Sequence, residues 1–255
     1  MMKKEMKGKY DEAIRKYLAE RGVDRIDIKA ALIDMDGVLY DSMRNHTIAW
    51  KMLFDSLGLN TDRDEFYMYE GMTGRATIQL IFKRELGVDM TDEEAREMYK
   101  IKTANFRSLP RVEAMPGAYD MLSALSLKGV ERVLVTGSGQ ADVINRIDQD
   151  YAGLFAADKR ITAADVTHGK PNPEPYIKGQ QLAGVAPEQA IVIENAPLGV
   201  QAGNASGSFT IAITTGPIPR QAFVDSGAHL VFESMPQFAA ELPQLIDSLN
   251  NVTLL

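Results

Sequence analysis

Two aspartates separated by a single residue, Asp34 and Asp36, are the side chains of this sequence best suited to chemistry. They follow a short apolar run, Ala30–Ile33, and precede Gly37, which lets the chain turn. Because side chains alternate along a strand, both carboxylates are expected on one side, where they would repel each other unless a cation or a shared proton lies between them. The pair therefore predicts a divalent metal at the carboxyl end of a buried strand, the edge at which open parallel sheets bind ligands.

Three further groups of polar residues follow apolar runs or lie in constrained loops. Thr136 opens the glycine-flanked turn that contains Ser138, where a hydroxyl and backbone N–H groups can hold a phosphate oxygen. The same residues also fit an ordinary helix cap. Lys170 lies in a proline-rich loop that restricts where its ammonium group points, whereas a lone loop lysine is usually solvated. Glu194 and Asn195 end another apolar run and offer the hard oxygen ligands that Mg²⁺ prefers.

The elements that position these residues alternate between helix and strand from residue 117 onward. Near-continuous apolar strands separated by helices indicate a parallel α/β sheet that is covered on both faces. After the Asp34 strand, further strands are predicted at Arg132–Thr136, 160–165, Ala190–Glu194, Phe209–Ile213 and His229–Phe232.

A helix-rich stretch with no strand signal separates the first strand from this alternating region. Ser42 is expected to cap its first helix, and Thr91 and Glu94 have the spacing of a capping box. Residues 43–110 are therefore predicted to form a helical insertion over the Asp34 site. Other helices are expected at about 8–21, packed through Tyr10, Ile14, Tyr17 and Leu18, and at 117–128, 140–149, 174–183, 197–205 and 243–250.

Composition limits the classes of function. The chain has 255 residues, a net charge of −7 and no cysteine, so it can bury a large core and has no disulfide or thiol chemistry. Its acidity argues against nucleic acid or an anionic membrane as a partner. The sequence shows neither a signal peptide nor the roughly 20 apolar residues of a membrane span, and a cytoplasmic protein is expected. The oligomeric state is not indicated.

The order of the motifs resembles that of the haloacid dehalogenase superfamily of phosphotransferases. The motifs are Asp34-x-Asp36-Gly-Val, an apolar run ending in Thr136, Lys170-Pro-x-Pro, and an apolar run ending in Glu194-Asn195. The helical insertion after the first motif resembles the cap of the β-phosphoglucomutase-like branch. The resemblance implies a Rossmann-like core formed by residues 1–42 and 111–255 and a helical cap formed by residues 43–110.

The resemblance also implies roles for the motif residues. Asp34 would be the nucleophile that forms an aspartyl-phosphate, and Asp36 the general acid and base. Thr136 and Lys170 would stabilise the transferring phosphoryl group, whose reaction depends mostly on positioning and electrostatics. The implied cofactor is Mg²⁺, held by Asp34, the carbonyl of Asp36, Glu194 and Asn195, the last standing where most relatives have aspartate.

Several residues of the insertion also match the branch. His46 is expected near the proton partner of the leaving oxygen, and Arg75 and Lys102 are expected to close over the substrate together with Ser138 of the core. A solvated helix surface is the simpler interpretation of the basic residues.

Two departures bear on the substrate. Glu70 stands where mutases of the branch carry a lysine, and Gly139 stands where they tend to carry a second lysine. Both changes weaken a pocket for a second phosphate. A carboxylate facing the site favours a ligand that arrives with its own cation, such as magnesium pyrophosphate.

The sequence therefore predicts a Mg²⁺-dependent phosphohydrolase that acts on a small phosphate compound, either inorganic pyrophosphate or a sugar phosphate. A β-phosphoglucomutase is the alternative within the same chemistry. A non-catalytic phosphate-binding module is a further alternative, supported by Asn195 alone. Dehalogenase chemistry is disfavoured because it has no use for Asp36 or for metal ligands.

Overall fold

The computed structural model describes residues 8–139 and 141–254. Within these residues, six parallel strands form one sheet. The strands are β1 (Ala30–Ile33), β2 (Glu131–Val135), β3 (Arg160–Ile161), β4 (Ala190–Glu194), β5 (Phe209–Ile213) and β6 (Leu230–Phe232), and their order across the sheet is β3-β2-β1-β4-β5-β6.

Ten helices accompany the sheet in the part of the chain described above. Three of them, α2 (Met43–Ser56), α3 (Gly74–Leu86) and α4 (Asp92–Ser108), lie between β1 and β2 in the chain. The others are α1 (Asp11–Arg21), α5 (Ala118–Leu127), α6 (Ala141–Asp150), α7 (Glu174–Ala183), α8 (Pro197–Ala205), α9 (Arg220–Asp225) and α10 (Met235–Asn251).

The sheet is buried on both faces, as its apolar strands predict. In β1, Ala31 and Ile33 join the larger core cluster, which also contains residues of α1, α5 and α10. Leu32 points to the opposite face and joins a smaller cluster that includes Tyr176 of α7 and Ala202 of α8. Alternating side chains thus place helices on both sides, and the motif residues remain at the strand ends.

Residues 43–110, called the cap segment below, have an apolar cluster of their own. Trp50, Phe54 and Phe66 stack on one another, with ring centroids 5.6 to 6.0 Å apart. Ile78 and Ile81 of α3 pack into the same cluster. The capping box predicted at Thr91 is present at the start of α4. The division of the chain into a cap and a core stays a prediction.

Most elements agree with the sequence analysis, and two differ. The packed residues of α1 are buried as expected. The closing helix α10 begins at Met235, eight residues before the predicted start, because Ser234 caps it and Pro243 is accommodated inside it. Helix α9 was not expected from the sequence. The predicted first residue of the sixth helix, Gln140, lies outside the described residues.

Across the described ranges, no helix combines the length and apolar character needed to cross a membrane.

Candidate active site

The strand order reverses between β1 and β4, which opens a crevice at their carboxyl ends. Asp34 directly follows β1, Thr136 follows β2, and Glu194 and Asn195 end and follow β4. All four side chains are at most 4% exposed. The parallel sheet thus brings residues that are far apart in sequence to one buried edge, as the motifs predict.

Lys170 links two of the strand ends. Its Nζ lies 2.5 Å from Asp34 Oδ1 and 2.5 Å from Glu194 Oε1, and its side chain is 1% exposed. Glu194 Oε1 also accepts a hydrogen bond of 2.6 Å from the hydroxyl of Tyr176. Glu194 Oε2 accepts bonds from the backbone N–H groups of Asn195 and Ala196. Lys170 is therefore held against the predicted nucleophile.

Burial is the largest single influence on the pKa values of Asp34 and Lys170. It raises the pKa of Asp34, an effect that Lys170 opposes and that the charges of Glu194 and Asp36 reinforce. Burial likewise disfavours the charged form of Lys170, but Asp34 and Glu194 outweigh it and raise the lysine pKa. The cluster carries more negative than positive charge, so a cation would favour ionised Asp34.

Asp36 is held by a separate set of residues. Its Oδ1 accepts a 2.6 Å hydrogen bond from Ser42 Oγ and lies 3.1 Å from His46 Nε2. Ser42 precedes α2 but its side chain caps no backbone N–H, so the predicted capping role is wrong. Strand β1 ends before Asp34, so the two aspartates lie in the loop after the strand and have different partners.

His46 connects Asp36 to Lys102 of the cap segment. Lys102 Nζ lies 2.6 Å from His46 Nδ1. Because an ammonium group can only donate, Nδ1 accepts from it, and Nε2 carries the proton that is donated to Asp36. Burial lowers the pKa of His46, and the charge of Lys102 lowers it further. Although its own burial opposes ionisation, Asp36 has a lowered pKa because His46, Ser42 and Lys102 favour its charged form.

Lys102 is buried, contrary to the simple interpretation of a solvated helix surface. It is 1% exposed, and its Nζ lies 5.0, 5.7 and 5.2 Å from the ring centroids of Trp50, Tyr99 and Phe106. Burial lowers the pKa of Lys102 to about 7, and Asp36 opposes that shift. Polar contacts thus connect Lys102 of α4, through His46, to Asp36 in the loop after β1.

Glu70 reaches from the cap segment to Asn195, which follows β4. Its Oε1 accepts a 3.0 Å hydrogen bond from Asn195 Nδ2, and the residue is 8% exposed. Burial raises the pKa of Glu70 well above its usual value, and the nearby charge of Asp34 adds to this. Asn195 Oδ1 is buried and has no hydrogen-bond partner among the described atoms.

Thr136 and Ser138 form the turn after β2. The Ser138 N–H donates a 3.0 Å hydrogen bond to Thr136 Oγ1, and both side chains line the catalytic cavity. The hydroxyl of Thr136 is therefore fixed by its own turn at the edge where a phosphate oxygen is predicted.

Several of these side chains line a cavity of about 60 Å³, which we call the catalytic cavity after its predicted role. The core supplies the two aspartates and Thr136, and the cap segment supplies Glu70 and Lys102. Tyr99 also lines the cavity and packs directly on Gly74, where a Cβ would lie 2.0 Å from the tyrosine ring. The cavity is therefore closed in part by the cap segment.

Arg75 lies outside this cavity. Its guanidinium donates to Asp92 of α4 at 2.7 Å and to the carbonyl oxygen of Thr167 at 3.2 Å. It lines a neighbouring outer cavity of about 370 Å³ that shares Gly74, Tyr99 and Gly137 with the cavity beside Asp34. The structure does not bring Arg75 to the other site residues, because its guanidinium is held by Asp92 and Thr167.

The cap segment touches the core through glycines. A Cβ on Gly137 would lie 2.7 Å from the carbonyl oxygen of Gly71, and one on Gly169 would lie 2.8 Å from the Thr73 side chain. Gly71 has φ of 89°, and a Cβ there would lie 2.9 Å from Lys170 Cδ. Side chains at these positions would hold the two parts of the molecule apart.

A family model described as haloacid dehalogenase-like hydrolase matches residues 28–207, which contain all four motifs. The chain belongs to this family. The resemblance drawn from the motif order is thereby confirmed, and the family's fold agrees with the sheet described above.

Relatives within the family include phosphatases and mutases. Hexitol phosphatase A from Escherichia coli (strain K12) is 33% identical over 210 residues, covering 82% of this chain and 92% of that protein. Beta-phosphoglucomutase from Bacillus subtilis (strain 168) is 24% identical over 198 residues, covering 74% of this chain and 84% of that protein. A solved structure from Bacteroides vulgatus, only provisionally assigned as a beta-phosphoglucomutase, has a TM-score of 0.90 and 45% identity and covers 95% of this chain and 98% of its own. The chain is therefore an enzyme, a hydrolase or a phosphotransferase.

Sequence reasoning missed three residues of the site. Tyr176 hydrogen-bonds Glu194, Ser42 hydrogen-bonds Asp36, and Tyr99 walls the cavity. In the sequence, the presence of each residue is explained equally well by the apolar spacing of a helix or by a helix cap. The available signal was a short distance from a motif residue, because Tyr176 lies six residues after Lys170 and Ser42 lies six residues after Asp36.

Proposed function

We propose that this enzyme hydrolyses inorganic pyrophosphate in a Mg²⁺-dependent reaction through an aspartyl-phosphate on Asp34. The observation that carries the proposal is the small cavity, closed in part by the cap segment, that Asp34, Glu70 and Tyr99 line together. Membership of the family supports phosphoryl transfer, and the volume of the cavity limits the size of the substrate.

The size of the cavity favours a small substrate. A volume of about 60 Å³ corresponds to on the order of five water molecules, because each needs roughly 10–15 Å³ of such space. Pyrophosphate consists of two phosphoryl groups and one bridging oxygen, and it needs no room for a sugar ring. Tyr99 and Glu70 of the cap segment take up part of the lining, so a larger leaving group would have to displace them.

The donor atoms of the site fit a magnesium ion. The described residues contain no cluster of three His, Cys, Asp or Glu side chains arranged as a metal cage. They do offer the carboxylate of Asp34, the buried and unpartnered Oδ1 of Asn195, and Glu70 bonded to the same amide. We propose these groups and the Asp36 carbonyl as ligands. Ligation by Glu194 would require one of its hydrogen bonds to protein donors to break.

The reaction begins at Asp34. When bound, the cation would offset the repulsion between this carboxylate and the anionic substrate. Asp34 attacks the near phosphorus and displaces phosphate, while Lys170 and the Thr136 hydroxyl donate to the transferring phosphoryl group. Water then cleaves the aspartyl-phosphate and restores the carboxylate.

Asp36 handles the proton in both half-reactions. Because Asp36 is ionised in the resting site, the proton for the leaving phosphate oxygen would pass from His46 Nε2 to Asp36 while His46 Nδ1 takes one from Lys102. The proton that Asp36 then removes from the attacking water would return along the same path and restore Lys102. His46 and Lys102 hold Asp36 from the cap segment, so its orientation depends on the cap being closed. We propose that residues 43–110 open to admit substrate and close to bring Glu70, His46 and Lys102 into place.

The direct test is release of phosphate from pyrophosphate by the purified enzyme, with Mg²⁺ and with EDTA. We expect hydrolysis only with Mg²⁺ and a loss of at least about a thousandfold in Asp34→Asn, because the amide is not a nucleophile. Undiminished hydrolysis by Asp34→Asn would refute the covalent route.

Sugar phosphates are the second candidate class of substrate, because relatives in the family are named as a hexitol phosphatase and a beta-phosphoglucomutase. The mutase alternative would require a sugar to outcompete water at the aspartyl-phosphate. Formation of glucose 6-phosphate from β-glucose 1-phosphate without comparable phosphate release would establish it.

A further inference from the structure

Glu194 has every acceptor position of its carboxylate in use. Its Oε1 accepts hydrogen bonds of 2.5 and 2.6 Å from Lys170 Nζ and from the hydroxyl of Tyr176. Its Oε2 accepts bonds of 3.0 and 3.3 Å from the backbone N–H groups of Asn195 and Ala196. Since a carboxylate offers about four such positions, these bonds leave Glu194 without a lone pair for a metal ion.

The surroundings of Glu194 also separate it from the catalytic cavity. The residue is 1% exposed, and its carboxylate lies against the backbone of α8, where a Cβ on Gly199 would lie 1.9 Å from Oε1. Glu70 lines the catalytic cavity, whereas its lining among the described residues includes neither Glu194 nor Tyr176. Of the two glutamates, the one that lines the cavity therefore belongs to the cap segment.

Tyr176 is fixed in the place from which it can hold Glu194. It is the third residue of α7, and its ring is buried in the smaller apolar cluster, which also contains Leu32 of β1. Its hydroxyl donates to Glu194, and the centroid of its ring lies 5.0 Å from Lys170 Nζ. One side chain thus contacts both members of the Lys170–Glu194 pair.

Lys170 depends on this arrangement for its direction. Its ammonium group has three donors, and its Nζ lies 2.5 Å from Asp34 Oδ1, 2.5 Å from Glu194 Oε1 and 3.3 Å from the carbonyl oxygen of Val135. The longest of these bonds is the one that a phosphoryl oxygen can replace with the least loss. If Glu194 were released, Lys170 would keep a single carboxylate partner, and a misdirected donor slows phosphoryl transfer.

We propose that Tyr176 is a positioning residue that commits Glu194 to Lys170 and withholds it from the metal ion, so that Glu70 of the cap segment is the glutamate ligand. The two glutamates then have different tasks, because Glu194 orients the lysine and Glu70 binds the cation. This inference rests on the Mg²⁺ dependence proposed above, and it is independent of which phosphate compound is the substrate.

Tyr176→Phe tests the proposal because it keeps the ring beside Lys170 and removes only the hydroxyl. Glu194 then has a free acceptor position, so Mg²⁺ should bind the full chain about tenfold more tightly in calorimetry without substrate. With saturating Mg²⁺ and pyrophosphate, kcat should fall by about tenfold because Lys170 is less firmly directed. A general loss of packing would weaken binding and slow turnover together, so it cannot produce these opposite changes.

Tyr17→Phe is the matched control. Tyr17 is also buried, and its hydroxyl donates a 2.8 Å hydrogen bond to the carbonyl oxygen of Gly207, away from the strand ends that carry the motifs. This variant should match the wild type in Mg²⁺ affinity and in kcat, and thermal unfolding shows whether each variant is folded. A Mg²⁺ affinity in Tyr176→Phe that is equal to or weaker than that of the wild type would overturn the proposal.

Crystal structures with Mg²⁺ provide the second readout. In the wild type, we expect Tyr176 and Lys170 to remain bonded to Glu194, and in Tyr176→Phe we expect a Glu194 oxygen at about 2.1 Å from the ion. Ligation by Glu194 in the wild type would overturn the proposal. Failure of both proteins to bind Mg²⁺ would refute the metal dependence and this inference with it. Failure of pyrophosphate as a substrate would affect neither the calorimetry nor the crystal structures.

Discussion

At the scale of single residues, Glu70 shows how one substitution changes a site. A lysine there would bring positive charge toward a phosphate, whereas this carboxylate lies against Asn195 and would add a hard oxygen ligand to the proposed metal site. Asn195 in turn removes one negative charge relative to an aspartate. The two residues together keep a carboxylate at the site while moving it from the core to the cap segment.

This arrangement predicts the behaviour of Glu70→Gln. The amide keeps the size of the side chain but is a weaker ligand, so Mg²⁺ affinity measured by calorimetry should fall on the order of tenfold. The half-saturating Mg²⁺ concentration for hydrolysis should rise in parallel. Glu97→Gln, at an exposed acid of α4, is the control and should bind Mg²⁺ like the wild type. Equal affinity in both variants would remove Glu70 from the metal site.

His229 makes a separate prediction about stability and pH. It stacks on Phe209 with ring centroids 4.8 Å apart, and burial lowers its pKa from 6.5 to about 4. Between these values the unfolded chain binds the proton and the folded protein does not, so this contribution to stability is complete above pH 6.5 and is lost as the pH falls toward 4. Its full size is roughly 3 kcal/mol.

Thermal unfolding at pH 7, 6 and 5 tests this. As the pH is lowered, the melting temperature of His229→Gln should fall less steeply than that of the wild type. This holds whatever loss of stability the substitution causes at pH 7. His168→Gln, at a histidine whose side chain is 67% exposed, is the control. Identical slopes for His229→Gln and the wild type would contradict the prediction.

At the scale of elements, the close approach of the cap segment to the core predicts an asymmetry between two neighbouring glycines. Gly137→Ala would place a Cβ 2.7 Å from the Gly71 carbonyl oxygen, whereas Gly139→Ala would place one 3.7 Å from the Tyr99 ring, an ordinary contact. We expect kcat/KM to fall by about tenfold to a hundredfold in Gly137→Ala, because Glu70 and His46 are displaced from the site. Gly139→Ala should retain activity, and neither variant should lose much thermal stability. Equal activities would show that the glycine contact does not govern closure.

The elements also show what could be predicted from the sequence. Three strands after β1 were predictable because each is a continuous apolar run ending in a polar residue, and the parallel sheet then brings Asp34, Thr136 and Glu194 together. The closing helix was predicted only from residue 243, whereas α10 begins at Met235 and contains Pro243. Ser42 was misjudged because a cap and a bond to Asp36 require the same residue type.

Contacts between the cap segment and the core were beyond prediction from spacing. Lys102 lies 56 residues from His46 and Glu70 lies 125 residues from Asn195, and nothing local specifies either pair. Arg75 is held outside the cavity by Asp92 and the Thr167 carbonyl, which lie 17 and 92 residues away along the chain. Periodicity predicts which residues face inward, but long-range packing decides which of them meet.

At the scale of the whole molecule, the catalytic cavity is lined by residues from two parts of the chain, the strand ends of the sheet and the cap segment. The strand ends supply the proposed nucleophile Asp34 and the hydroxyl of Thr136, and the cap segment supplies Glu70, the His46–Lys102 pair and Tyr99. Family membership explains the first set, and we propose that the second set limits the size of the ligand. The specificity of the enzyme is therefore expected to depend on the cap segment more than on the sheet.

The measurement that tests this account most directly is the ratio of kcat/KM for pyrophosphate to kcat/KM for a hexitol phosphate, determined with saturating Mg²⁺. We predict a preference for pyrophosphate of at least about a hundredfold, equivalent to roughly 3 kcal/mol of transition-state stabilisation, because the closed cavity excludes the larger leaving group. Equal values, or a preference for the hexitol phosphate, would contradict the claim that Glu70 and Tyr99 restrict the site to pyrophosphate.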